Sequence, residues 1–194
     1  MNEFFEMAVI GFEAVAVLNY DIHAAQFVQK SHTALPSAFL SPLVGPIGTL
    51  IERQPRFYVR LTRNPALPVG DGPPAPVALI MATMGDDGRL FGALPGLGYA
   101  GVVLEGMGAG HVPADVAPIV GDLAAEIPVV LASRAMTGHV FTRTYGYPGS
   151  EIDLIRRGVV PGGYLSGLKA RLLFGLVMRG GKGADVAAAF APYH

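Results

Sequence analysis

Apolar residues gather in short runs that glycines and prolines interrupt, the spacing of a chain that alternates strands with helices. The first run, Ala14-Val15-Ala16-Val17-Leu18, is continuously apolar and rich in valine. It predicts a strand buried on both faces, as in a parallel sheet. The run ends at Asn19-Tyr20-Asp21. Residues 22–28 fit a helix or an irregular segment. Residues 50–61 alternate and include Phe57, Tyr58 and Val59, which predicts a strand or one arm of a hairpin. Residues 62–76 hold five prolines. That density forbids a helix or a central strand and predicts a stiff, extended connector at a domain boundary.

Beyond the connector the pattern becomes regular. Strands are predicted at 77–81, 99–104 and 129–131. Residues 88–96 fit a short helix broken by Pro95. Residues 114–127 read as an amphipathic helix, with Val116, Ile119, Val120 and Leu123 on one face. Residues 150–157 form a short helix with Ser150 as N-cap, Asp153 three positions later and Gly158 just past the end. Residues 166–178 and 184–191 predict two more helices. Strands alternating with helices imply a parallel sheet joined by right-handed crossovers.

Composition narrows the function classes. Lys and Arg number 14 against 15 Asp and Glu, so no basic surplus exists to neutralise phosphates or an anionic membrane surface. No nucleic-acid or membrane partner is expected. With 51% hydrophobic and 15% charged residues the chain suits a well-buried core rather than a solvated coil. The absence of cysteine excludes disulfides, Cys-ligated zinc and thiol catalysis. The longest uncharged stretch, residues 31–51, carries Pro36, Pro42, Gly45, Pro46 and Gly48, which a bilayer helix would not hold at its centre. Glu3, Glu6 and Glu13 occupy the place of a signal peptide's basic and apolar regions. A soluble, cytoplasmic protein is the expectation.

Ligands of open α/β sheets bind at the carboxyl ends of the strands. There the sequence places Glu105-Gly106-Met107-Gly108-Ala109-Gly110-His111. Three alternate glycines let backbone N–H groups approach a carboxylate or phosphate, with a helix N-terminus behind them. A tight glycine turn with no ligand fits equally. The G-x-G-x-x-G match at 96–101 precedes a strand instead of following one, so it is not a dinucleotide fingerprint. Glu151 and Asp153 are either a functional carboxylate pair or acids that suit the first turn of a helix. Ser133-Arg134 follows a strand end and either orients a carboxylate or is structural. His23 and His32 lack a ligand-like partner. No catalytic residue, metal ligand or cofactor site emerges from motif spacing.

Taken in order, a set of segments resembles the bacterial-type L-asparaginase family. It comprises Val17-Leu18-Asn19, Ile22-His23-Ala24-Ala25, Lys30-Ser31-His32-Thr33, Ala38-Phe39, Gly45-Pro46-Ile47-Gly48, then 105–113, Ser133-Arg134, Gly138, Tyr145-Gly146, 149–153, Leu165 and Lys169-Ala170-Arg171. The resemblance implies an α/β protein. A flavodoxin- or Rossmann-like parallel-sheet domain at 77–194 would follow the proline-rich linker, 62–76, and 1–61 would be the tail of a larger, truncated α/β domain. It also implies hydrolysis of the side-chain amide of L-asparagine or a related amino acid. The family's nucleophilic threonines lie in T-G-G-T-like and H-G-T-D-T-like segments, which do not occur here, and no lysine precedes Lys30.

What the resemblance retains is the portion that one subunit lends to a neighbour's pocket. Glu151 matches the glutamate that contacts the substrate's α-amino group, and His111 falls where many members have asparagine. Both are expected to bind substrate in trans, within a homo-oligomer or with a companion N-terminal chain, and no catalytic residue is assigned. The chain is expected to be inactive alone. The alternative is a non-catalytic amino-acid-binding or interaction module.

Overall fold

Two left-handed residue pairs shape the amino-terminal part of the protein. In the computed structural model, residues 6–10, 13–67, 69–181 and 185–194 are described. Contacts divide the chain into two units, Met1–Pro65 and Ala66–His194. In the first unit β1 (Glu6–Ile10), β2 (Glu13–Leu18) and β3 (Asp21–Ala24) pair as antiparallel neighbours, and a two-residue turn joins β2 to β3. Asn19 and Tyr20 have φ of 48° and 67°, and Leu18 pairs with Asp21. Two consecutive positive φ values give the primed turn whose twist matches a hairpin.

After β4 (Gln29–Lys30) and β5 (Phe39–Leu40), which pair only with each other, the device recurs. Glu52 and Arg53, at φ 50° and 65°, join β6 (Gly48–Ile51) to β7 (Gln54–Phe57). The resulting sheet has the order β1-β2-β3-β6-β7 and is antiparallel throughout. Two expectations are corrected here. The apolar run at 14–18 lies in an antiparallel sheet, because burial does not dictate strand direction whereas a two-residue turn does. Residues 22–24 are strand, and the chain turns only after Ala24, whose carbonyl accepts from Phe27 and Val28. Val15, Ile22, Ala24 and Ile47 form this unit's core.

The second unit is a parallel sheet of β8 (Val77–Met81), β9 (Gly101–Gly106), β10 (Val129–Ser133) and β11 (Val160–Ser166), ordered β11-β10-β9-β8. Each crossover moves one place in the same direction. Crossovers of one hand then put every connecting helix on one face. Accordingly α1 (Arg89–Ala93), α2 (Ala117–Glu126) and α3 (Glu151–Arg156) contribute Phe91, Val120, Leu123 and Leu154 to a single core with Val102, Leu104, Val129 and Leu131. The alternate residues Val77, Val103, Val130 and Ala132 face the other way. They pack on α4 (Gly167–Met178) and α5 (Val186–Phe190) through Ala170, Phe174, Val186 and Phe190. Burying a phenylalanine of that kind contributes about 1.5–3 kcal/mol.

β11 has no counterpart in the expected strands, because Pro161-Gly162-Gly163 reads as a breaker. The strand stands at the sheet edge, where a missing N–H is tolerated, and its register shifts between Leu131 and Ser133. The proline-rich stretch contains neither helix nor strand among its described residues. No helix among the described residues is long and apolar enough to cross a membrane.

Candidate functional site

The carboxyl end of β9 opens directly into the glycine turn. Met107 and His111 close it, Met107 N–H donating to the His111 carbonyl at 2.7 Å and His111 N–H to the Met107 carbonyl at 2.9 Å. Gly110 N–H also donates to Met107 O, at 3.0 Å. These amides are used within the turn, so they do not form a cradle for an anion, and α2 begins only at Ala117. Gly110, at φ 112°, lets the turn lie against the core, since a Cβ there would stand 2.9 Å from Leu131 Cδ2. The consequence is a fixed backbone from which the His111 side chain projects.

A second segment, 139–150, arrives from β10. Phe141 N–H donates to the Ala109 carbonyl at 2.9 Å and Val112 N–H to the Gly149 carbonyl at 2.9 Å. The chain then enters α3. Ser150 has the extended backbone of an N-cap but makes no side-chain cap. Its hydroxyl instead donates to the Tyr145 carbonyl at 2.8 Å. Asp153 accepts from Gly149 N–H at 2.9 Å and from Arg157 Nε at 3.0 Å, the helix-start role anticipated as one alternative for the acidic pair.

Glu151 behaves differently. It is buried, with none of its surface exposed. Oε1 accepts the backbone N–H groups of Thr144 at 3.0 Å and Tyr145 at 2.7 Å. Oε2 lies 3.1 Å from His111 Nε2. Burial works to raise its pKa. The N–H groups of Tyr145, of Glu151 itself and of Thr144, with His111, outweigh burial and hold the carboxyl below the usual range. An ionised carboxylate only accepts, so the network assigns the hydrogen on His111 Nε2. Nδ1 then accepts from the Tyr147 hydroxyl at 2.8 Å when the ring is neutral. Tyr145 and Tyr147 meet the imidazole edge-on, at ring-centre separations of 5.1 and 5.3 Å.

The structure thus brings together His111 and Glu151 and adds two tyrosines that motif spacing did not assign a role. The signal for them was faint: a Tyr-Gly-Tyr triplet just before a capped helix. Ser133 and Arg134 each donate a side-chain hydrogen bond to the backbone. The Ser133 hydroxyl donates to the Gly108 carbonyl at 2.5 Å, and Arg134 Nη1 donates to the Ala82 carbonyl at 3.2 Å. His23 is buried against Ser41, with Nδ1 to Oγ at 2.9 Å. His32 Nδ1 accepts from the N–H groups of Ala34 and Leu35.

Two titratable groups of the second unit, Glu105 and Lys169, were quoted only as parts of segments and given no role. Burial pushes the Glu105 carboxyl up, against an opposing hydrogen bond from the Gly167 N–H at the start of α4. Burial pushes Lys169 down to about 8. Among the described residues no group of three or more His, Asp and Glu side chains could hold a metal ion.

Residues 76–190 match the family model of the Glutaminase/Asparaginase C-terminal domain. The chain belongs to the asparaginase family. It is 30% identical to an L-asparaginase of Bacillus licheniformis, covering 87% of this chain and 52% of that protein. It is 31% identical to a probable L-asparaginase of Deinococcus radiodurans, covering 82% and 49%. A glutamyl-tRNA(Gln) amidotransferase subunit of Methanosarcina acetivorans is 29% identical over 73% of this chain and 34% of its own length.

The chain therefore spans about half the length of the curated asparaginases it matches. In fold it is similar to the crystal structure of a probable cytoplasmic L-asparaginase from Campylobacter jejuni. The TM-score is 0.77 at 24% identity, and the match covers 91% of this chain and 55% of that one. The asparaginase-family match encloses β8 to β11 and places both Glu151 and His111 inside the C-terminal domain.

Proposed function

We propose that this asparaginase-family chain supplies the substrate-holding portion of an amidohydrolase that converts L-asparagine to L-aspartate and ammonia. In this reading Glu151 receives the substrate's α-ammonium group. The observation that carries it is the state of that carboxylate: buried, ionised and anchored through one oxygen by two backbone N–H groups. A negative charge fixed in this way is preorganised, and a carboxylate–ammonium hydrogen bond is about twice as strong as a neutral one. His111 and the two tyrosines form the surrounding polar wall.

Amide hydrolysis also needs an attacking hydroxyl and a base that activates it. The 194 residues contain neither threonine segment of the family. The attacking group would come from sequence beyond these residues or from a companion N-terminal chain, whose pocket this domain completes. By themselves the 194 residues would bind without cleaving. A second reading, a non-catalytic amino-acid-binding module, draws on one feature. The unit Ala66–His194 carries two cores of its own and the whole Glu151 constellation.

Calorimetric titration of the full chain with L-asparagine tests the proposal. Binding is expected in the native protein and its loss in Glu151→Gln. Equal affinity in both would overturn the assignment of Glu151.

A further inference from the structure

Glu151 poses a geometric problem for the role of an ammonium receptor. Oε1 is committed to Thr144 and Tyr145. Oε2, the oxygen left for an ammonium group, faces the imidazole of His111. The carboxylate is wholly covered, whereas the His111 side chain keeps 18% of its surface in solvent. A ligand approaching Glu151 therefore meets the histidine.

We propose that His111 is an internal stand-in for the ligand's ammonium. Its Nε2–H fills the Glu151 Oε2 subsite between Tyr145 and Tyr147, and it must leave before an α-ammonium can enter. The inference rests on the reading of Glu151 as the ammonium receptor. The two partners of this hydrogen bond are held with very different firmness. Glu151 sits at the first position of α3 and is pinned by two backbone N–H groups. The His111 ring is tied on its far side by the hydroxyl of Tyr147, an exposed residue. Water can take over that hydrogen bond at little cost. The His111 backbone is fixed by the Met107–His111 pairing, so departure is a side-chain rotation that leaves the turn intact.

The exchange is chemically matched. A ring N–H donating to a carboxylate is replaced by an ammonium N–H donating to the same oxygen, so the buried charge is never left without a partner. A ligand with no α-amino group cannot make the exchange. The histidine thus weakens binding of amides that carry an ammonium, whereas an amide without one makes no use of the subsite whether the histidine fills it or not. A subsite that is open a tenth of the time lowers apparent affinity about tenfold.

Calorimetry of the full chain with L-asparagine and with succinamate, the same amide without the α-amino group, tests the latch. His111→Ala is expected to bind L-asparagine about tenfold tighter than the native protein, with no gain for succinamate. His111→Asn, with a shorter donor, is expected to fall between them. If the native protein binds L-asparagine and neither variant binds it tighter, the latch is overturned and the Glu151 assignment stands. If no form prefers L-asparagine to succinamate, the Glu151 assignment fails and takes the latch with it. Should the variants fold poorly, the native protein decides by NMR. Saturating L-asparagine is expected to move the His111 ring signals to those of a solvated imidazole, and unchanged signals on saturation would contradict the proposal.

Discussion

His111 Nε2 stands 3.1 Å from Oε2 of Glu151, a carboxylate with no solvent exposure. Forty positions separate the two residues in sequence. They meet because the turn after β9 and the start of α3 are clamped by the Val112–Gly149 hydrogen bond.

Glu151 stabilises the fold as well as marking the site. Replacing it with Gln removes the charge that anchors the Thr144 and Tyr145 N–H groups. The expected loss is about 1–3 kcal/mol, read by urea unfolding at neutral pH. Its folded pKa lies below the ordinary value, so its contribution is complete above about pH 4.3 and is lost as pH falls through the lower folded value. The native protein should therefore lose stability on acidification more steeply than Glu151→Gln.

His23 gives the first unit an acid-sensitive point of its own. Burial lowers its pKa, opposed by the nearby Asp21 carboxylate. The unfolded chain takes up the proton first, so the His23 contribution is whole above about pH 6.5 and shrinks as pH falls from there toward the folded pKa. Ser41→Ala leaves the buried Nδ1 without its hydroxyl partner. It should cost about 1–3 kcal/mol in unfolding free energy at pH 7.

Gly149 tests the clamp. Its φ is 85°, and a Cβ there would overlap the Val112 carbonyl oxygen. Backbone strain and clash combine, so Gly149→Ala is expected to destabilise the protein by at least about 2 kcal/mol. Gly108→Ala, at φ 52° with open space around the added carbon, should cost only about 1–2 kcal/mol. Parallel thermal melts check the ranking.

Lys169 should titrate with a midpoint of about 8, because burial disfavours its charged form. NMR of the lysine side-chain carbons measures this directly. A midpoint in the ordinary range, about 10 or above, would contradict the burial of this side chain.

Much of the second unit was legible in the sequence. Short apolar runs gave β8, β9 and β10, and a 3.6-residue apolar stripe gave α2. β11 was hidden, since Pro161-Gly162-Gly163 carries breaker chemistry that only an edge position excuses. The first sheet was misread because a run of valine and alanine reports burial and says nothing of strand direction. The signal that decides it, two positive φ values at Asn19 and Tyr20, is a property of the fold. Glu151 and His111 were both singled out, yet their hydrogen bond and the Tyr147 link depend on how two loops cross, which no local pattern encodes. Asp153 was offered beside Glu151, and one capping bond and one ion pair account for it.

Ammonia release from L-asparagine by the purified 194-residue chain decides whether these residues cleave the amide or only hold the amino acid. A rate no different from a protein-free blank is expected, because a held ammonium group without an activated hydroxyl leaves the amide intact. Sustained turnover by this chain alone would contradict that expectation.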